Sequence, residues 1–137
     1  ACRGTLGKIT VDNLRGPQGA TCILNGTKVK GTITVQRKAT LRATGVRVVG
    51  NVQAENHKHV EVRTSRIGGS IQVVQGGSST VTGNTVTLDI QYFENRGAIV
   101  VSTNRVNGNL QCKENTKKPT GGGNKVGGNK EDQCKRL

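Results

Sequence analysis

Five basic residues recur at nearly constant spacing along the chain, with steps of 19 or 20 residues and Thr85 in the place of a sixth. They are Lys28, Arg47, Arg66, Arg105 and Lys125. Each precedes an aliphatic residue, so in a strand each would point outward. If successive repeats stack, the like charges repel one another, and a bridging anion would relieve that repulsion. The spacing therefore predicts a polyanion-binding row. The alternative is an ordinary solvated surface, since the chain has 21 lysines and arginines.

Four glutamines recur with the same period, each after a small or apolar residue, a polar residue and an aliphatic one. They are Gln53, Gln72, Gln91 and Gln111, and the polar residues ahead of the aliphatics are Thr32, Asn51, Ser70, Asp89 and Asn109. These side chains could hydrogen-bond sugar hydroxyls in repeating order. Stacked amides also hydrogen-bond to one another along a ladder and stabilise it. We favour the structural role and keep the glutamines as a secondary polar face.

Two short segments, "ENHKH" (55–59) and "QYFEN" (91–95), hold the candidates for catalysis. Elimination at a uronate needs a cation to neutralise the carboxylate and a base to remove the α-proton, roles open to Arg, His, Lys or Tyr. Tyr92, however, falls in an inward column. His57 aligns with Lys38 and Gly76, which predicts an outward loop position. With no nucleophile elbow, phosphate loop or paired catalytic carboxylates, we expect no catalytic residues, and a minimal polysaccharide lyase is the enzymatic alternative.

The period itself defines the architecture. Three aliphatic columns keep one register, and they are Ile33-Val52-Ile71-Ile90-Leu110, Val29-Val48-Ile67-Val86-Val106-Val126 and Leu24-Ala43-Val62-Val81-Val100. A fourth runs through Val35, Ala54, Val73, Tyr92 and Cys112. Apolar and polar residues alternate within each repeat, which is the periodicity of short strands. A period near 20 residues with no helical pattern predicts a parallel β-solenoid.

We expect one all-β domain over 1–137, a right-handed parallel β-helix of about six coils. Residues 1–28 would form an N-terminal cap and first coil, 29–112 the regular coils, and 113–137 a C-terminal coil and cap. The glycines at 31, 50, 69, 108 and 128 are expected at corners, where their conformational freedom is useful. The asparagines at 84, 104 and 124 are expected to form a turn ladder, because Asn tolerates left-handed conformations.

The four cysteines predict two disulfides. Cys2 and Cys22 are 20 residues apart, and Cys112 and Cys134 are 22 apart, about one coil in each case. Neighbouring coils stack at ~4.8 Å, which suits the Cα separation of a disulfide. The other two connectivities would span most of the rod, so we expect Cys2–Cys22 and Cys112–Cys134 to clamp its ends. Free thiols or a zinc site are the less favoured alternatives, because metal-ligand spacing is absent.

The coils and the ending "GNLQCKENTKKPTGGGNKVGGNKEDQC" resemble small secreted bacterial proteins of the right-handed parallel β-helix type, with pectin-lyase-like architecture. The resemblance covers nearly the whole chain, from "CRGTLG" to "KEDQC". It implies the fold and export, and no catalytic residue. The larger enzymes of that fold act on acidic polysaccharides through long loop insertions, which this chain lacks.

Composition limits the class of partner. The net charge of +13 favours acidic polysaccharide or an anionic cell envelope. Specific nucleic-acid binding is not expected, because aromatic side chains for base stacking are almost absent. Membrane insertion is not expected either, because no apolar run approaches the ~18 residues of a span. We expect a secreted, non-enzymatic, polyanion-binding protein without cofactor or metal. A purely structural surface protein is a third possibility, and the oligomeric state is not predicted.

Overall fold

The computed structural model describes all 137 residues and contains 21 short strands and no helix. Successive strands fall in turn into three parallel sheets of seven strands each, named here sheets A, B and C. The chain therefore winds as a parallel β-solenoid, one strand per sheet and turn. The all-β solenoid prediction is confirmed.

Sheet A consists of β1 (Gly4–Leu6), β4 (Thr21–Asn25), β7 (Thr40–Thr44), β10 (His59–Arg63), β13 (Ser78–Thr82), β16 (Ile99–Ser102) and β19 (Thr120–Gly122). Sheet B consists of β2 (Thr10–Val11), β5 (Lys28–Val29), β8 (Arg47–Val48), β11 (Arg66–Ile67), β14 (Thr85–Val86), β17 (Arg105–Val106) and β20 (Lys125–Val126). Sheet C consists of β3 (Leu14–Gly16), β6 (Ile33–Val35), β9 (Val52–Glu55), β12 (Ile71–Val74), β15 (Ile90–Phe93), β18 (Leu110–Lys113) and β21 (Lys130–Asp132).

The turns number about seven, not the predicted six, because residues 1–28 already hold the complete set β1, β2 and β3. Strand order and register are the same for either direction of winding, so right-handedness stays a prediction.

The repeat register is correct for most columns and fails at one position. Val81 pairs with Val101, whereas Val100 pairs with Thr80 on the outer face. Val101 is fully buried and Val100 is 37% exposed. The assignment of Val100 to the inward column is therefore wrong. The cause is one extra residue between Asn95 and Ile99, which moves the alternation of β16 by one position.

The interior is a thin stack of aliphatic side chains clamped at both ends. Disulfides join Cys2 to Cys22 and Cys112 to Cys134, each with a Cα–Cα distance of 5.3 Å, and no cysteine is free. Both predicted pairings are confirmed. Each disulfide holds the outermost turn to its neighbour, where one strand edge lacks a partner.

The corner between sheets A and B turns through one residue with positive φ in each of six turns. That residue is Gly26, Gly45, Thr64, Gly83, Thr103 or Gly123, with φ between 45° and 69°. Asn84, Asn104 and Asn124 directly follow the last three of these residues and are buried. The expected Asn ladder exists at this corner, but the preceding residue, not the Asn, is left-handed.

The corner between sheets B and C needs glycine for a different reason from the one predicted. None of the glycines at 31, 50, 69, 108 and 128 has positive φ. A side chain at Gly69 would instead overlap Asn51 Oδ1 and the carbonyl oxygen of Gly50 in the preceding turn. Close stacking of turns, and not backbone freedom, therefore excludes a Cβ here.

Candidate polyanion-binding face

The predicted basic residues form one continuous row on sheet B, here called the basic ladder. Backbone pairing places Lys28 beside Arg47, Arg47 beside Arg66, and Arg105 beside Lys125, with Thr85 between Arg66 and Arg105. All five basic side chains are exposed. The strands here are two residues long, and the second residue of each faces the core, so the first must face outward.

No carboxylate neutralises the basic ladder. Every ion pair in the structure converges on Glu61 of sheet A, whose partners are Arg42, His59 and Arg63. The ladder side chains therefore face solvent with uncompensated charge. At ~4 Å in water two such charges repel by roughly 1 kcal/mol, and less at longer separation or with added salt. An anion that contacts two rungs would remove part of that repulsion.

A shallow depression of about 340 Å³ opens between two rungs of the basic ladder. Arg47 and Arg66 line one side, Thr85 and Thr87 supply hydroxyl groups, and Val49 forms an apolar wall. Gly68, between Val49 and Thr87 in the neighbouring column, also lines the depression. Guanidinium groups, hydroxyls and an apolar surface thus meet at one point, a combination that suits an anionic group on a sugar ring.

The glutamines line up on sheet C and hydrogen-bond to one another. Nε2 of Gln53, Gln72 and Gln91 donates to Oε1 of the next glutamine at 3.0, 3.0 and 2.8 Å, and Gln111 reaches Glu131 at 3.3 Å. A groove of about 830 Å³ beside Gln53 and Gln72 is also lined by Arg37 and Glu55, so it carries both positive and negative charge. The structural role of these amides as a ladder is observed.

The polar residues that precede the aliphatic column, Thr32, Asn51, Ser70, Asp89 and Asn109, also form hydrogen bonds within the fold. Oδ1 of Asn51 accepts the backbone N–H of Ser70 at 2.8 Å, and Ser70 Oγ accepts that of Asp89 at 3.1 Å. Asp89 Oδ1 accepts the N–H of Asn109 at 2.7 Å, and Thr32 Oγ1 accepts that of Asn51 at 3.2 Å. Since these oxygens hold backbone amides between turns, they bind the turns together and are poorly placed to read a ligand.

Two further asparagines, which the sequence reading did not single out, form a second buried ladder between sheets C and A. Asn115 Oδ1 accepts from the backbone N–H and the Nδ2 of Asn95, both at 3.0 Å. Gln133 Oε1 accepts from the same two groups of Asn115, at 2.9 and 2.8 Å. Asn95 and Asn115 are 20 residues apart, which is one repeat, so this spacing was the sequence signal that could have predicted the second ladder. Leu137 O ends the Asn84–Asn124 ladder in the same way, so the C-terminal segment caps both.

His57 is not in an outward loop, as the sequence reading predicted. It is 2% exposed, and neither ring nitrogen has a hydrogen-bond partner. Lys58 N–H donates to Ala39 O, so the residue that precedes His57 in the inward column is Ala39 and not Lys38. The ring lies over Gly76, where a Cβ would overlap it. Burial, and then the positive charges of His59 and Arg96, lower the pKa of His57 to about 4.

Tyr92 is fully buried, as its inward column predicted. Its hydroxyl lies 3.2 Å from Ser79 Oγ, and burial raises the pKa of the phenol. A neutral, enclosed phenol has no access to a polymer at the surface, so the structure does not present Tyr92 as a base.

No group of three or more His, Cys, Asp or Glu side chains is arranged to hold a metal ion, and no helix could cross a membrane. No family model, curated protein or solved structure gives a significant match to the chain.

Proposed function

We propose that this protein binds linear extracellular polyanions, with acidic polysaccharide as the first choice, through the basic ladder and without catalysis on the bound polymer. The observation that supports this most strongly is the register of Lys28, Arg47 and Arg66, three exposed cations on successive turns with no acidic partner. Scattered surface lysines and arginines would not align along one axis.

The dimensions of the solenoid suit a polymer that lies along its axis. Neighbouring rungs repeat at ~4.8 Å, so a chain with a charged group at every rung or every second rung could contact several residues at once. Thr85 divides the basic ladder into a group of three and a group of two, with the Arg47–Arg66 depression inside the first. Arginine is suited to carboxylate and sulfate because its planar guanidinium donates two parallel hydrogen bonds.

An extracellular location is part of the proposal. Two disulfides in a chain without free cysteine favour an oxidising compartment. The resemblance to small secreted bacterial right-handed β-helix proteins with pectin-lyase-like architecture supports export as well.

The lyase alternative has lost two of its candidate residues, since His57 and Tyr92 are both buried. The structural-protein alternative differs in an observable way, because it expects self-assembly without ligand preference.

Isothermal titration or biolayer measurements with a uronate polymer, a sulfated polymer and an uncharged polymer of similar length test the proposal. We expect binding to the two charged polymers, weakening steeply as salt rises, and none to the uncharged one. Binding that is equal for all three, or independent of salt, would contradict it. Release of unsaturated products from the uronate polymer would replace it with the lyase.

A further inference from the structure

Ser78, His59 and Glu61 lie side by side on the outer face of sheet A. Ser78 and His59 are register partners in β13 and β10, and Glu61 follows His59 by two residues on the same face. Ser78 Oγ is 2.7 Å from His59 Nδ1, and His59 Nε2 is 3.4 Å from Glu61 Oε1. A hydroxyl, an imidazole and a carboxylate hydrogen-bonded in this order form the relay that activates nucleophilic serines in unrelated folds.

The contacts of the two ring nitrogens of His59 suit the tautomer that such a relay needs. A neutral imidazole has one N–H donor and one acceptor nitrogen. An ionised Glu61 accepts from Nε2–H, which leaves the Nδ1 lone pair directed at the Ser78 hydroxyl. Partial burial opposes ionisation of Glu61, but hydrogen bonds from Arg63 and His59 and the charges of Arg63 and Arg42 lower its pKa. Arg63 Nε and Arg42 Nη1, at 3.1 and 3.2 Å, also hold the carboxylate in place.

No other serine of the chain has this environment. Ser79 is buried against Tyr92, Ser65 Oγ donates to Arg63 O, and Ser70 Oγ accepts a backbone amide. Ser102, on the same sheet face, contacts Thr82 Oγ1 at 3.3 Å and no imidazole. Ser78 is half-buried, with its side chain on the outer face, so a reagent in solution can reach it.

We propose that Ser78 is a nucleophile that accepts small acyl groups from esters, an activity beyond polyanion binding and on a different sheet. Ser78 Oγ forms a bond to the ester carbonyl carbon while His59 Nδ1 takes the hydroxyl proton. The carbon–oxygen bond to the leaving group then breaks, and the alcohol or phenol leaves with that proton. Water, deprotonated by His59, then bonds to the acyl carbon. The bond from that carbon to Ser78 Oγ breaks, His59 returns the proton to Oγ, and the acyl group leaves as a carboxylic acid. Glu61 is a positioning residue, which holds the imidazole and stabilises its cationic form.

The surroundings of Ser78 limit the rate and the substrate. The Ser78 backbone N–H already donates to Lys58 O at 3.2 Å, so this amide is not free to stabilise an oxyanion. Loss of one such donor costs about 10²–10³ in rate in enzymes that have one. Ser78 also lines neither of the two surface depressions described above. We therefore expect slow reaction with esters that join a small acyl group to a good leaving group, such as p-nitrophenyl acetate.

The test measures acetylation of the intact, disulfide-bonded protein by p-nitrophenyl acetate, with peptide mapping to locate the acetyl group and a fluorophosphonate probe as an independent serine reagent. We expect both reagents to modify Ser78, and Ser78→Ala to abolish the modification while Ser102→Ala leaves it unchanged. His59→Gln should slow it by about 10²-fold or more, since general-base catalysis contributes that much. Glu61→Asp should retain more reactivity than Glu61→Gln, a rescue that a merely structural role would not give.

Modification confined to lysines, equal reactivity of Ser78 and Ser102, or a rate insensitive to His59→Gln would overturn the proposal. Thermal unfolding of each variant identifies any that fail to fold. The fluorophosphonate reaction of the native protein tests the proposal without variants, because absence of a label on Ser78 would contradict it. Polyanion binding uses sheet B, so failure here leaves that proposal unaffected, and the reverse also holds.

Discussion

Arg47 and Arg66 are register partners on the outer face of sheet B, and neither forms an ion pair. A fold stabilised by close stacking would not place like charges on adjacent turns for stability, because their mutual repulsion opposes it. The pairing is consistent with a ligand that binds between them. The same stacking that creates the basic ladder also determines which other side chains the fold can tolerate.

Removal of one buried asparagine should cost far more stability than removal of one glutamine. Asn104 is 1% exposed, and its amide bonds to Asn84, Asn124 and Val81 O. Asn104→Ala leaves several of these groups without partners, so we expect a loss of about 3 kcal/mol in the free energy of unfolding. Gln72→Ala, in a half-exposed amide ladder, should cost less than about 1 kcal/mol because water replaces its partners. Urea unfolding of both variants measures the difference; equal losses would show that the two ladders are equivalent.

The His57 ring should make stability depend on pH. Its pKa is about 4 in the folded protein, against 6.5 for an unperturbed histidine. The unfolded chain therefore binds more protons between these values, and stability falls as pH decreases from about 6.5 to about 4. The loss at the lower end should approach 3 kcal/mol.

Chemical unfolding at several pH values, compared between the native protein and His57→Ala, isolates this contribution. The variant should have a flatter pH profile, while Lys58→Ala, at an exposed neighbouring position, serves as the control. Parallel profiles for the native protein and His57→Ala would contradict the burial of an uncharged ring.

A methyl group at Gly69 should be poorly tolerated, because it would overlap Asn51 Oδ1 and Gly50 O. We expect Gly69→Ala to destabilise the protein by about 2 kcal/mol or more, in the range of overpacked cores. Gly7→Ala is the matched control, because nothing lies within 4 Å of its added Cβ and its φ is not positive. Thermal unfolding compares the two; a Gly69→Ala protein as stable as Gly7→Ala would show that the turns are not packed as closely as described.

The two disulfides should differ in their effect. Replacing Cys112 and Cys134 by serine opens a 22-residue loop, worth about 3 kcal/mol, and also frees the segment whose Gln133 and Leu137 cap both asparagine ladders. The pair Cys2 and Cys22 closes a loop of similar length without such a cap. Hydrogen exchange should therefore show lost protection at the amides of Asn115 and Asn124 in the first variant only. Equal loss in both would remove the capping role.

The period alone determined much of the fold. Once Ile33, Val52 and Ile71 are aligned, the strand faces, the disulfide pairs and the register of the basic residues follow from alternation and stacking. The same register places Ser78 beside His59, one repeat away in the sequence.

The failures have local physical causes. The period could not locate single-residue insertions. One insertion makes Ala39, and not Lys38, the residue that aligns with His57 in the preceding turn. Another places Val101, and not Val100, in the inward column. An insertion in a loop changes no apolar residue, and only the backbone hydrogen bonds reveal its position. The glycines do lie at corners, but backbone freedom is the wrong reason for them. The reason is overlap of a Cβ with the preceding turn, which depends on the distance between turns and could not be read from residue type.

The most direct test of the central claim compares two triple variants that each lower the net charge by three. One is Lys28→Ser/Arg47→Ser/Arg66→Ser in the basic ladder, and the other is Lys117→Ser/Lys118→Ser/Lys135→Ser at exposed positions outside it. The measurement is the affinity for a uronate polymer as a function of salt. We expect the ladder variant to bind much more weakly, with the slope of log affinity against log salt reduced by about 2, and the control to stay close to the native protein. Equal weakening in the two variants would show that net charge, and not the basic ladder, attracts the polymer, and would contradict the account.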